Sequence, residues 1–336
     1  MQETVAGLAV IVGGLLHGSF ATPMKRMQKR WRWENIWLLY SVAALAILPA
    51  VLAILTVPSL AGVYRTTPLS TSLLVAAFGL GWGIGSVLFG QAISRIGMAL
   101  GFAIILGITS TLGSLLPLIV MNPQEVWTAK GRTLMVGLLI AIVGIVICSA
   151  AGAWRDRETR RVQAVAAGGR FLTGLLISIA SGITSPMLNF GFAYGEPLRD
   201  AAKAMGARGG LAANAVWAPA LLAGFLVNGG YASYLLSKNR TWRLYTEGSA
   251  SHWLGGCLMA VLWFGGISIY GVGAADMGRL GAVVGWPVFM ATVIIFANVL
   301  GFIMGEWRCA PAKVCLLEWL GIAFLVVAIL VVSRVL

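Results

Sequence analysis

The chain has 336 residues, 59% of them hydrophobic and only 10% charged, with a mean hydropathy of +0.89. A water-soluble globule carries charge on about a quarter of its residues, so this composition excludes one and points to a polytopic membrane protein. The formal net charge of +13 is mostly a loop bias, described below, and does not indicate nucleic-acid binding.

Ten apolar runs follow one another along the chain, at about 4–24, 36–57, 71–93, 98–121, 133–153, 170–194, 210–236, 252–272, 280–304 and 313–333. Each is close to the ~20 residues that cross a ~30 Å hydrocarbon core as helix, and none has the ten-residue alternation of outer-membrane strands. The expected fold class is therefore an all-α membrane protein of ten transmembrane helices. The first run follows Met1-Gln2-Glu3 with no basic stretch and no small-residue cleavage site, and reads as a retained helix rather than a signal peptide. The connections are short, and none can hold a soluble domain.

Lys and Arg mark the cytoplasmic side, because basic loops resist translocation. Sixteen of the 24 lie after odd-numbered runs, from Lys25 and Arg26 through Arg155, Arg160 and Arg161 to Arg308 and Lys313. Both termini are thus expected to face outward. The basic run KRMQKRWRW (residues 25–33) reads as an interface anchor on the cytoplasmic side.

The chain also echoes itself. WGIGSVLFGQAISRIG (82–97) superposes on WFGGISIYGVGAADMG (263–278), matching Trp82 with Trp263, Gly85 with Gly266, Phe89 with Tyr270 and Gly90 with Gly271. A weaker pair, GSFATPM (18–24) and SGITSPM (181–187), ends in each case on a hydroxyl residue, Pro and Met. The first pair lies in runs three and eight, the second in runs one and six. Two repeats of five spans, residues 1–160 and 161–336, account for both offsets. An odd number of spans makes the second repeat enter from the opposite side, so the repeats are expected to be inverted, with a binding site near the bilayer midplane at their interface.

Several strings carry a family resemblance: FGLGWGIGSVLFG followed by SRIGMALG, KRMQKRWRWENIW with Pro49 behind it, SGITSPMLNFGF, and GEWR after run nine. Together they resemble the L-rhamnose–proton symporter family of the drug/metabolite transporter superfamily, over nearly the whole chain. The resemblance implies a ten-helix, 5 + 5 inverted-repeat importer of a deoxy-hexose, driven by protons, in the bacterial inner membrane. Outward termini are similar to what that family has.

A neutral sugar needs an apolar wall for its C–H faces and groups that donate and accept to its hydroxyls. Trp82, Thr109 and Trp263 fall near mid-membrane, and Asn189, Asn214, Tyr270 and Trp286 toward the outer half. Gln91, Asn228 and Asn298 fall toward the inner half. Asn and Gln are costly in hydrocarbon without a partner, and each could equally be a link between helices, with Asn189, in the LNFGF string beside a Pro-interrupted segment, the one favoured for the sugar; a Trp could equally pack against lipid. The glycines between Gly79 and Gly90 permit either close helix contact or an unwound turn.

Proton coupling needs a titratable group. The candidates are His17 in run one, Glu318 about one turn into run ten, and Glu306 and Glu34 at cytoplasmic helix ends, where salt bridges are the rival reading. For Glu318 the rival is snorkelling to the interface, and for His17 a hydrogen bond between helices. His17 and Glu318 both depart from the family pattern, which leaves a facilitator or another coupling cation open.

No metal or cofactor is expected. The four cysteines form no CxxC pair, and GWGIG lies inside an apolar run with neither the preceding strand nor the following acidic residue of a dinucleotide site. Protons, a small sugar and membrane lipid are the expected partners, and the sequence does not specify an oligomeric state. Two alternatives stay open: an exporter of a small metabolite or amphiphilic cation, and a non-transporting membrane enzyme or sensor.

Overall fold

The computed structural model describes residues 2–159 and 169–335, all helix and connecting turns without strand. The boundary expected between residues 160 and 161, with Arg160 and Arg161, lies outside the described residues. Ten helices are long and apolar enough to cross a membrane: α1 (Thr4–Met27), α2 (Trp33–Thr56), α3 (Leu69–Ile96), α4 (Leu100–Met121), α5 (Ala129–Glu158), α6 (Phe171–Ala204), α7 (Gly209–Asn239), α8 (Ala250–Asp276), α9 (Gly278–Ile303) and α10 (Ala312–Val335).

All ten expected spans are present. The largest difference is α6, which continues past residue 194 after a break at Gly195, through the segment Glu196–Ala204, EPLRDAAKA. That segment is too polar to register as an apolar run.

Polarity runs inside out, as a lipid solvent demands. Leu55 and Leu316 are 75% and 71% exposed, whereas Asn189, Asn214 and Asn228 are buried. In hydrocarbon an unpaired amide costs several kcal/mol, so these side chains belong between helices.

Small residues set the tightest crossings. Helix α3 runs unbroken through its glycines, and a Cβ at Gly79 would lie 1.9 Å from the Ala220 carbonyl oxygen on α7. Gly79, Gly81, Gly83 and Gly85 of α3 thus serve close contact, not an unwound turn. Gly13 of α1 and Gly266 of α8 meet in the same way, each against the other's carbonyl oxygen.

Two helices are interrupted, and both breaks fall in the echoed segments GSFATPM and SGITSPM. The α1 helix stops at Ser19 and resumes at Met24 after Pro23, and α6 stops at Thr184 and resumes at Met187 after Pro186. Proline cannot donate its backbone nitrogen, so a helix tends to break just ahead of it. In α2, Pro49 leaves the Leu45 carbonyl without its usual donor, and the turn ahead of it, Val42–Ile47, widens to π-helix.

Helix pairing has an exchange pattern. Helix α1 packs along α8 and α9, as α6 packs along α3 and α4; α3 packs along α7, as α8 packs on α2; and α5 packs along α10. Swapping the first five helices for the last five leaves this set of pairings unchanged.

Candidate functional site

Where these helices meet, side chains of α1, α2, α3, α8 and α9 form an aromatic cluster, hereafter the chamber. Trp82 on α3 and Trp263 on α8 meet with ring centroids 5.2 Å apart. The His17 ring on α1 lies 5.1 Å from Trp263 and 5.2 Å from Phe289 on α9. Tyr40 on α2 stands edge-on to Trp263 at 6.0 Å, with Phe20 and Trp37 beside it at 5.7 and 5.0 Å.

Polar edges line the same space. Asn228 Oδ1 on α7 accepts from Trp37 Nε1 at 3.1 Å and from Ser86 Oγ at 3.0 Å, while its Nδ2 donates to the Gly224 carbonyl at 3.1 Å. His17 Nδ1 lies 3.3 Å from the Trp263 carbonyl oxygen. A carbonyl only accepts, so Nδ1 carries the hydrogen there, and in the neutral ring Nε2 is an acceptor. Among the described residues, no protein group pairs with Trp82 Nε1, Trp263 Nε1 or Tyr40 Oη. Rings with a free polar edge match the two faces of a sugar, which is apolar on its C–H side and hydroxylated at its rim.

Seven residues along α8, toward the termini, a second layer closes the chamber. Tyr270 Oη donates to Asn189 Oδ1, and Asn189 Nδ2 donates to the carbonyls of Gly113 at 2.8 Å and Ala282 at 3.0 Å. Trp286 Nε1 donates to the Thr109 carbonyl at 3.1 Å, and Thr109 Oγ1 reaches the Gly182 carbonyl at 3.5 Å. These bonds join α4, α6, α8 and α9. All four side chains are buried, and both Asn189 amide hydrogens are engaged. Phe289 touches both layers, 4.8 Å from the Tyr270 ring.

The remaining sequence candidates lie elsewhere. Asn214 links α7 to α2 and α8, donating to Thr56 Oγ1 at 3.0 Å and accepting from Ser268 Oγ at 3.2 Å. Gln91 accepts from Arg95 Nη1 at 3.5 Å near the end of α3. Asn298 lines a separate cleft with Cys148 and Arg155. Glu306 pairs with Lys25 and, at 3.4 Å, with Arg155. Glu34 accepts from Asn239 Nδ2 at 3.0 Å and Thr241 Oγ1 at 2.9 Å. Glu318 is fully buried in α10, away from the interface it would reach by snorkelling.

Sequence reasoning missed Phe20, Trp37, Tyr40, Ser86 and Phe289 as chamber residues. A signal existed for two of them: Trp37 ends the family-like WENIW string, and Tyr40 stands three residues further on, on the same helical face.

The profile of the L-rhamnose-proton symport protein family matches residues 4–335. The chain belongs to that family. Similar members include the L-rhamnose-proton symporter of Klebsiella pneumoniae, 27% identical over 95% of this chain and 94% of its own. Those of Citrobacter koseri and Escherichia coli are each 26% identical, with the same coverage. A crystal structure 15% identical in sequence aligns over 98% of both chains with a TM-score of 0.59, which shows a shared fold. The resemblance read from the scattered motifs of this symport family therefore extends over the whole of it.

Proposed function

We propose that this protein imports L-rhamnose or a close deoxy-sugar by proton symport, across the bacterial inner membrane, with the aromatic chamber as the sugar site. The observation that carries the reading is the Trp82–Trp263 contact. It brings two sequence-echo positions, one from each half, to a single point in the middle of the helix bundle, with His17, Tyr40 and Asn228 around them. That is where an inverted-repeat transporter holds its substrate while its halves rock around it.

The 5 + 5 inverted repeat itself, divided near residue 160, is supported by the exchange pattern of helix pairing and by the matched breaks before Pro23 and Pro186. Outward termini are supported by the basic residues gathered at the opposite end, where Lys25 and Arg155 meet Glu306. In this reading the buried Asn189–Tyr270–Trp286 layer shuts the outer side, and the half-buried His17 and Trp82 lie on its cytoplasmic side. Trp82 and Trp263 would pack against the C–H faces, and Tyr40 Oη, His17 Nε2 and the Trp edges would bond the hydroxyls. Asn189 and Trp286 would serve the gate rather than the sugar.

The test is ligand-dependent thermal stabilisation of the purified protein with L-rhamnose, other hexoses and organic cations, joined to pH recording in energy-depleted cells. A ligand that binds only the folded state raises the melting temperature. L-Rhamnose should stabilise the protein, and its addition should make the outside medium more alkaline. Stabilisation by cations alone would overturn the sugar reading.

A further inference from the structure

The chamber leaves one buried acid unused. Glu318 stands six residues into α10, about 9 Å along the helix, and is 0% exposed. Neither of its carboxyl oxygens is bonded by a nitrogen or oxygen donor; the one bond within reach is the weak one offered by the Cys148 thiol. The nearest polar neighbour is the Cys148 thiol on α5, a weak donor, with the Arg155 guanidinium beyond it. Close helix contact creates this arrangement, because a Cβ at Gly321 would lie 2.5 Å from Cys148 Sγ.

Cys148 has a second face. With Ser149, Arg155, Leu106 and Asn298 it lines a cleft between α4, α5 and α9, of about 80 Å³. That is well below the roughly 300 Å³ of a small-molecule pocket, yet it is large enough for several waters. The cleft suits the passage of protons and not of a sugar.

We propose that Glu318 is the proton-binding residue of this transporter, reached through the Cys148 cleft and separate from the aromatic chamber. The inference rests on the symport reading above. A lone carboxylate inside a helix bundle costs several kcal/mol unless it is paired or neutralised; Glu318 has no ion-pair partner among the described residues, and a thiol, a weak donor, offsets little of that cost. It holds a proton while closed in, and it releases one when rocking of the halves opens the α5–α10 contact to water. The groups that face it are few. From α5 come Cys148 and Arg155, the latter engaged by Asp156 at 2.9 Å and by Glu306. The Arg155 cation also lies over the ring of Trp307, in the connection before α10. Lys313 and Cys315 are the titratable neighbours on α10 itself. Arg155 thus makes its ion pairs with two other carboxylates and acts on Glu318 through its charge alone.

The test is Glu318→Gln in the full-length protein reconstituted in liposomes. L-Rhamnose-evoked alkalinisation should fall at least tenfold, while stabilisation by L-rhamnose and exchange of labelled L-rhamnose across the membrane persist, since exchange needs no net proton release. Alkalinisation at the wild-type level overturns the assignment. Should the variant fail to fold, the wild-type protein is treated with dicyclohexylcarbodiimide, which attacks protonated carboxyls in apolar surroundings. Glu318 should be modified, more at pH 6 than at pH 9, with loss of alkalinisation; an unmodified Glu318 overturns the assignment as well. A wild-type protein that shows no L-rhamnose-evoked alkalinisation refutes the symport reading instead, and the carbodiimide result then decides Glu318 by itself.

Discussion

Trp82 and Trp263, 181 residues apart in sequence, face each other with centroids 5.2 Å apart and ring planes tilted by 36°. Trp82 also backs onto α7, where a Cβ at Gly224 would approach its ring to 2.8 Å, while Trp263 is held by His17 and Tyr40. The two indoles are thus held together between α7 on one side and His17 and Tyr40 on the other. Trp82→Ala and Trp263→Ala should therefore each weaken L-rhamnose binding by tenfold or more, about 1.4 kcal/mol, and Phe at either position should restore part of it. Titration calorimetry on detergent-purified protein reads this directly. Wild-type affinity in both alanine variants would move the site elsewhere.

The layer above the chamber should control which side is open. Tyr270→Phe removes one hydroxyl and leaves Asn189 Oδ1 buried without its donor, a cost of roughly 1–3 kcal/mol. Because that bond exists only while α6 and α8 are together, its loss should shift the population toward the outward-open state by about tenfold or more. The readout is maleimide labelling of a cysteine introduced at buried Ser268, added from outside to intact cells in a background lacking the native cysteines. Labelling no faster than in the parent protein would show that the layer is structural and not a gate.

The number and order of the helices were legible in the sequence because hydrocarbon imposes a length and a polarity on every span. The sites of the two helix breaks were legible because proline acts locally. The chamber was only half legible. The Trp82 and Trp263 positions stand out by repetition, but Tyr40 and Phe289 are ordinary aromatics in apolar runs, and only the three-dimensional arrangement distinguishes them from lipid-facing rings. Asn189 illustrates the opposite limit. As a sequence position it reads as the favoured sugar ligand among the amides, and what makes it a helix tie is a pair of carbonyls 76 and 93 residues away.

Two glycines of α3 should respond in opposite ways to the same change. Gly79→Ala places a methyl 1.9 Å from the Ala220 carbonyl oxygen, a backbone atom that cannot step aside, whereas a Cβ at Gly90 meets nothing within 4 Å. Gly79→Ala should force α3 and α7 apart and reduce the yield of folded protein severalfold. Gly90→Ala should be neutral or stabilising by roughly 0.5–1 kcal/mol, from backbone entropy alone. Fluorescence size-exclusion profiles of the two variants compare them on one axis, and equal profiles would contradict the close crossing.

Glu306 is expected to matter less than its family-like string suggests. Its partner Lys25 is 53% exposed, and exposed ion pairs contribute about 0–1 kcal/mol. Glu306→Gln should lower the melting temperature by no more than a few degrees and leave L-rhamnose-evoked alkalinisation within about twofold of wild type. A loss of alkalinisation comparable to that expected for Glu318→Gln would instead place coupling at the Lys25–Glu306–Arg155 cluster.

The connecting segments have their own pH dependence. Outside the spans, Tyr245 Oη donates to the Asn35 carbonyl at 2.9 Å and Tyr64 Oη to the Ala215 carbonyl at 3.0 Å. Burial pushes both phenols up from 10 to about 12, with the negative charge of Glu34 adding to the effect at Tyr245. The folded state then holds these protons more tightly than the unfolded chain. Their contribution to stability is complete below pH 10 and is lost as the pH rises through about 12. The melting temperature should fall over that window, and Tyr245→Phe should fall less steeply. Below pH 10 the variant should melt lower than wild type, because the Asn35 carbonyl has lost a donor, and the two curves should converge near pH 12. Parallel curves from pH 8 to pH 12 would mean that Tyr245 is not held by its buried hydrogen bond.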